Sequence, residues 1–380
     1  MDNDKAEDLN KDQTEWRETP YLLIKGFLMG SADIVPGVSG GTMALITGIY
    51  DRFIFAIKSF NSKAVASALR FRLAELFNQI HWKFVMLLAS GIVMAVFFFT
   101  RVVPLQVYMF THPELIYGIF FGLILGSIFL LIAEIDTKDR NWKYSIPLIL
   151  GALFGFWIVT LVPADTPETF WFVFLTGSVS ISAMVLPGIS GSYILLIFRK
   201  YDYVLMQLSA LGTSDTFTAI LNLIPFALGA ITGLVVFSRI LSWLLKNYYT
   251  VTIIVLVGFL VGSLYVIWPY QDREYTESVR SVEVMPVNDP FVLELMQREV
   301  LPDTPYYYYL GDLVNPDEPS MDERKIEVKR VSRKIIKSSP FLPWMNGRHA
   351  DDEVHTANGL TGFLIGILLI FGISYLRKKQ

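Results

Sequence analysis

Residues 26–52 read GFLMGSADIVPGVSGGTMALITGIYDR, an apolar run broken at its centre by Pro36-Gly37 and Gly40-Gly41, with one carboxylate, Asp33, just before the break. In a water-soluble core a proline and three glycines would simply end a helix. In a bilayer the same break frees backbone N–H and C=O groups, which must be buried in protein or line a polar cavity. Residues 177–203 repeat the pattern as GSVSISAMVLPGISGSYILLIFRKYDY. Ser182-Ala183, Pro187-Gly188, Ser190-Gly191 and Tyr201-Asp202 fall in register with Ser31-Ala32, Pro36-Gly37, Ser39-Gly40 and Tyr50-Asp51. Paired Gly/Pro-interrupted apolar segments at matching places in two halves of a chain point to a transporter's substrate site.

Composition agrees. Of 380 residues, 53% are hydrophobic, 18% charged and 14% aromatic, and mean hydropathy is +0.46. Soluble domains carry about 25% charged residues, so the chain reads as a polytopic membrane protein. A net charge of −3 argues against a nucleic-acid binder. The absence of cysteine removes disulfides, thiolate metal sites and thiol nucleophiles. Residues 1–20 are acidic and polar, lack a signal peptide's basic start and apolar core, and read as a disordered cytoplasmic tail.

A crossing helix needs about 20 apolar residues. Six segments qualify, near 84–103, 115–133, 145–162, 220–245, 251–268 and 359–376, and the broken motifs add 21–50 and 170–199. Half of a broken motif has about 14 residues, or ~21 Å of helix, too short for a ~30 Å core. Charge favours re-entrant hairpins over broken crossings. Residues 51–83 carry Arg52, Lys58, Lys63, Arg70, Arg72 and Lys83 with amphipathic spacing, which suits a helix on the membrane surface. With a re-entrant first motif, this segment, Lys138, Arg140, Lys143, Lys246 and the tail at 377–380 all lie inside, as the positive-inside rule requires.

The expected fold is therefore an all-α polytopic membrane protein built as an inverted repeat. Each half is a re-entrant helical hairpin plus three transmembrane helices, the first spanning 21–163 and the second 170–268 with 359–376. Small-residue pairs recur in the same order, Gly122…Gly126-Ser127 with Gly258…Gly262-Ser263 and Gly151…Gly155 with Gly362…Gly366. Each pair alone is an ordinary helix-packing face. Their shared order supports duplication. Residues 269–358 break the symmetry as a polar, proline-containing extracytoplasmic insertion, where the runs 281–285 and 325–331 could be strands and Tyr306 to Tyr309 could cap the membrane surface. Both termini fall on the cytoplasmic side.

At each hairpin tip a second half-helix begins, at Ser39-Gly40-Gly41-Thr42 and at Ser190-Gly191-Ser192. Helix N-termini present unpaired N–H groups and partial positive charge, glycines admit an anion, and hydroxyls add donors; phosphate is the natural guest. The alternative is that these hydroxyls only cap their own helices. Asp33, opposite Met184 in the second copy, is a candidate for proton or sodium coupling or for an ion pair. Arg101 and Arg239 end helices at equivalent places, as snorkelling anchors or phosphate ligands. Arg52, Arg199 and Lys200 could gather an anionic headgroup at the two mouths. Pro36, Gly37, Pro187 and Gly188 are the structural breaks. Gly37-Val38-Ser39-Gly40-Gly41 also fits the short G-x-S-x-G nucleophile pattern. A serine needs a base in reach, and His81, His112, His349 and His355 lie outside every apolar span. An intramembrane serine hydrolase using Ser39 is the weaker alternative, as is a small-anion transporter or channel.

The stretches GSADIVPGVSGGTMALITGIYDR and SAMVLPGISGSYILL resemble the polyprenyl-phosphate transporter family of prokaryotic membranes. The resemblance covers most of the chain apart from the tail and the insertion. It implies a flippase in the cytoplasmic membrane returning undecaprenyl phosphate, the lipid carrier of envelope polymers such as peptidoglycan, to the inner leaflet. The family motif then falls on Asp33, Pro36, Gly37, Ser39, Gly40, Gly41 and Thr42, and on Pro187, Gly188, Ser190, Gly191 and Ser192. No catalytic residue, metal or cofactor is implied. The partners would be the polyprenyl phosphate and membrane lipids, with a homo-oligomer left open and no nucleic acid.

Overall fold

The computed structural model describes residues 14–35, 38–135, 142–164, 166–212, 216–298, 304–314, 324–344 and 356–378. The chain opens with α1 (Thr19–Ile34), which carries Pro20 in its first turn, and α2 (Gly40–Ile46). Three short helices follow, α3 (Tyr50–Ser59), α4 (Ser62–Leu69) and α5 (Leu73–Gln79), so the basic segment is not one continuous helix. Next come α6 (Trp82–Phe97), prolonged by a π turn at Phe98–Val102, α7 (Leu105–Thr111), α8 (Pro113–Glu134) and α9 (Ser145–Val159). The second half holds α10 (Phe170–Val185), α11 (Gly191–Ile197), α12 (Tyr201–Ser209), α13 (Thr216–Asn247) and α14 (Tyr249–Ile267).

The insertion adds β1 (Gln271–Pro286), α15 (Pro290–Gln297), β2 (Tyr306–Leu313) and β3 (Lys325–Pro340), and α16 (Thr356–Lys378) ends the fold. Among the described residues six helices, at 82–102, 113–133, 142–159, 216–247, 249–267 and 356–374, are long and apolar enough to cross a membrane. They fall where the apolar runs placed them, and among the described residues the strands are confined to the insertion. Large apolar side chains such as Leu150, Trp157, Ile231, Trp243, Leu368 and Phe371 stay exposed on these helices, as a lipid-facing surface requires.

The packing repeats between halves. Helix α1 lies on α6 as α10 lies on α13, and α8 lies on α16 as α14 lies on α9. Glycines set the close approach. A Cβ on Gly122 would meet the Phe363 carbonyl at 2.3 Å, and one on Gly258 would meet the Leu148 carbonyl at 2.5 Å. The small-residue pairs of the sequence are thus the seams between equivalent partners, each half supplying one helix to each pair.

Each broken motif returns to where it entered. Arg52, at the start of α3, pairs with Glu18 at 3.0 Å and donates to the Thr14 hydroxyl at 2.7 Å, both just before α1. In the second copy Lys200 donates to the Thr166 carbonyl at 2.9 Å, and the Ala164 N–H donates to the Ile197 carbonyl at 3.0 Å, ahead of α10. Both are hairpins. Within the expected disordered tail, residues 14–20 are ordered, with Thr14 and Glu18 anchoring the first hairpin through Arg52. Residues 1–13 of that tail lie outside the described residues.

Helix α13 ties the two mouths to opposite ends of one rod. Near its start, the Asn222 carbonyl accepts from Tyr203 at 3.2 Å and its amide donates to Gln207, also at 3.2 Å, both on α12 beyond the second hairpin. It also packs on α3, beyond the first hairpin, where Arg239 and Lys246 of its last third lie within electrostatic reach of Lys58. From Asn222 to Arg239 the rise is roughly 26 Å at 1.5 Å per residue.

The insertion is a three-stranded antiparallel sheet in the order β1-β3-β2. Both alternating runs fall in it, residues 281–285 within β1 and 325–331 within β3, while Tyr306 to Tyr309 open β2. Its inner face closes over Val292, Leu295, Ile326 and Val328 against α15. The sheet leans on the second hairpin's exit through Arg280, which pairs with Asp202 at 3.1 Å, and on α7 through Tyr275 stacked on Phe110.

Candidate functional site

The two hairpin tips touch. Ser39 sits in extended backbone at the start of α2, where its Oγ accepts from the Gly41 N–H at 3.1 Å and caps the helix. The same hydroxyl donates its proton across the repeat to the Met184 carbonyl at 3.0 Å. Thr42 Oγ1 accepts from the Gly188 N–H at 2.9 Å, and the Tyr50 hydroxyl donates to the Val185 carbonyl at 3.2 Å. A Cβ on Gly41 would stand 2.5 Å from that Val185 carbonyl. Ser39 and Thr42 are fully buried in this seam. The main-chain groups freed by the Pro187-Gly188 break in one copy are therefore taken up by hydroxyls of the other.

Asp33 crosses the break within its own copy, its Oδ1 accepting from the Gly40 N–H at 2.6 Å. With Ser39 on the Gly41 N–H, the first two amides of α2 are occupied by the protein's own acceptors. The second copy keeps the geometry and changes the chemistry. Met184 stands against Gly191, its Cβ 2.9 Å from a Cβ placed there, as Asp33 stands against Gly40. Ser190 begins α11 without a side-chain cap, and its hydroxyl bonds instead to that of Ser192 at 2.9 Å. Ser192 is exposed.

The breaks differ in what is described. Pro36 and Gly37 lie outside the described residues. Gly188 has φ +80°, and a Cβ there would meet the Phe259 carbonyl at 2.8 Å, so only glycine fits. The hairpins also end alike: Gly48 (φ +73°) and Arg199 (φ +49°) hold the left-handed position after α2 and α11. There the N–H groups of Ile49 and Lys200 reach back to the carbonyls of Ala44 and Leu195 at 3.0 and 2.9 Å.

The candidate arginines are not gathered at the tips. Arg52 is held by Glu18 and Thr14 and stacks on Phe84 at 4.8 Å. Arg101 lies exposed in the π turn after α6, Arg199 is exposed at the second hairpin's exit, and Arg239 is exposed on the last third of α13. Among the described residues Arg101 and Arg239 form no hydrogen bond or ion pair. Lys200, a headgroup candidate in the sequence, is instead buried against Phe172 and bonded to the Thr166 carbonyl. Sequence reasoning missed Lys25, buried on α1 beside a small cavity lined by Tyr21, Ile24, Leu28, Thr47 and Ile373. A lysine in an apolar helix was the available signal. Ser39 gives its proton to a main-chain carbonyl, and among the described residues no side-chain base accepts it. No group of metal-ligating side chains occurs among the described residues.

Comparison with known proteins gives one family. The sequence model described as undecaprenyl phosphate translocase-like matches residues 29–285, from before the first break into β1. A polyprenyl-phosphate transporter of Vibrio cholerae is 39% identical over 252 residues, covering 66% of this chain and 77% of that one. Another polyprenyl-phosphate transporter, from Staphylococcus aureus, is 30% identical over 258 residues, covering 65% and 85%. No solved structure matches the chain.

Proposed function

This chain belongs to the undecaprenyl phosphate translocase-like family, and on that premise we propose that it carries a polyprenyl phosphate, undecaprenyl phosphate first among candidates, between the leaflets of the cytoplasmic membrane. The observation that carries the reading is the joint between the hairpin tips, Ser39 to Met184 and Thr42 to Gly188. Three helices long enough to cross separate the two hairpins, and an odd number of crossings opens their mouths to opposite faces. The path of α13 from one mouth to the other supports this inversion. A phosphate head cannot enter hydrocarbon unaided, whereas a prenyl tail never needs to leave it. Joined tips near mid-membrane give the head a polar relay while the tail trails in lipid.

The first tip is closed in the described state, because Asp33 holds the Gly40 amide. A phosphate reaching this tip competes with that carboxylate. Protonation of Asp33, or a sodium ion beside it, would release the amide, which makes Asp33 the coupling group. Glycines 40, 41 and 191 with the hydroxyls of Ser39, Thr42, Ser190 and Ser192 then cradle the head, and Arg101, Arg199 and Arg239 meet it at the mouths. Arg52 anchors the first hairpin. The insertion lies outside the membrane on the second mouth's side, and no bond of the substrate is broken.

The test is uptake of a labelled polyprenyl phosphate into the inner leaflet of proteoliposomes holding the full chain. Head-group transfer that depends on the protein and falls in a Ser190→Ala/Ser192→Ala variant is expected. Transfer of inorganic phosphate with no lipid movement would replace this reading with a small-anion carrier. Labelling of Ser39 by a fluorophosphonate would replace it with a hydrolase.

A further inference from the structure

Three cations lie along the contact between α3 and α13. Arg239 and Lys246 lie seven residues apart on α13, two turns along one face, and Lys58 of α3 lies within electrostatic reach of both. Burial, Lys246 and Arg239 together hold the Lys58 ammonium below the ordinary lysine value. Nothing nearby in sequence offsets them. Helix α13 contains no acidic residue, the only acidic residue of α3 is Asp51 at its other end, and none of the three cations is ion-paired among the described residues. Between Arg239 and Lys246 in sequence, the Ser242 hydroxyl is buried and unpartnered.

Surface lysines that merely face lipid spread apart, because like charges in contact destabilise the fold. Here Lys58 stands within electrostatic reach of both Arg239 and Lys246, beside the first hairpin's exit. Resting on the transport reading above, we propose that Lys58, Arg239 and Lys246 form a receiving site for a phosphomonoester dianion at the first mouth, where a lipid phosphate is held before or after it passes the tips. A dianion supplies the charge the cluster lacks, and a phosphodiester headgroup with one charge supplies half of it.

The experiment uses the full chain in nanodiscs of neutral lipid and measures binding of a labelled polyprenyl phosphate, with inorganic phosphate and phosphatidylglycerol as competitors. Lys58→Gln/Arg239→Gln/Lys246→Gln is expected to bind at least tenfold more weakly, with a flatter salt dependence, and to melt higher than wild type without ligand as repulsion is relieved. Lys58→Arg/Lys246→Arg is expected to bind like wild type. Should the triple variant fail to fold, Lys246→Gln, at an exposed position, is read alone and is expected to lose several-fold. Competition by inorganic phosphate assigns the site to the phosphate group itself, and competition by lipid phosphate alone assigns it to a membrane-anchored head. Binding unchanged in the neutral variants overturns the cluster and leaves the transport reading intact. Lys58-dependent binding of inorganic phosphate without any of the lipid keeps the cluster and overturns the lipid reading, and binding of neither overturns both.

Discussion

Asp33 and Gly40 face each other across the first break, the carboxylate accepting the amide N–H at 2.6 Å. On the proposed transport reading, the protein's own carboxyl group occupies the amide that a phosphate would use, and the second copy has Met184 in the equivalent place. Asp33→Asn keeps an acceptor oxygen and removes the charge. It is expected to melt with wild type, whereas Asp33→Ala loses the cap and about 1 kcal/mol. Transport by the Asn variant should no longer respond to an imposed proton or sodium gradient in proteoliposomes. An undiminished response would remove Asp33 from coupling.

Thr42 and Gly188 test the joint. Thr42→Val keeps the shape of the side chain and takes away the acceptor, leaving the buried Gly188 N–H without its partner. The expected loss is about 1–3 kcal/mol, read as a lower midpoint of thermal unfolding in detergent, with Thr42→Ser restoring most of it. If valine and threonine melt together, the hydroxyl does not join the tips.

Two glycines make a matched pair of opposite sign. Gly41→Ala puts a methyl 2.5 Å from the Val185 carbonyl, a backbone atom that can move only by parting the tips, so a cost of about 1–3 kcal/mol is expected. Gly372→Ala, on α16 with nothing within 4 Å of the added carbon, should gain about 0.5–1 kcal/mol from helix propensity. Thermal unfolding of both variants in one lipid composition checks the pair.

How far residues announce such a structure depends on the range of the force involved. Leu115 to Ile132 announce their helix because about 20 apolar residues and a bilayer leave no other solution. The two hairpins were legible through repetition, since Pro187-Gly188 in step with Pro36-Gly37 is too long a match to ignore. The bond from Ser39 to Met184 was not, because it joins residues 145 positions apart and neither residue carries a sign of the other. Tyr50 shows the same limit: its register with Tyr201 was legible, but the acceptor of its hydroxyl, Val185, belongs to the opposite copy. In the insertion, alternation marked residues 281–285 and 325–331 as strands. Their extension to 16 residues each, with shifts in pairing at Glu274/Tyr275 and Val279/Ser281, depends on cross-strand partners no single strand records. The grouping of Lys58 with Arg239 and Lys246 likewise waits on α3 meeting α13.

Arg199 separates stability from function at one position. It holds φ +49° where its counterpart Gly48 holds φ +73°, a left-handed conformation that costs a side-chain-bearing residue about 1–2 kcal/mol. Glycine there removes the clash and adds entropy to the unfolded chain, two effects of opposite sign, with relief of the clash the larger. Arg199→Gly is therefore expected to melt higher than wild type. If the guanidinium meets the headgroup at the second mouth, the same variant should transport more slowly, and Arg199→Lys should recover transport while keeping the strain. A glycine variant that is more stable and equally active would show that arginine stands at this turn for reasons unconnected with the substrate. A glycine variant less stable than wild type would show that the side chain's own contacts outweigh the strain.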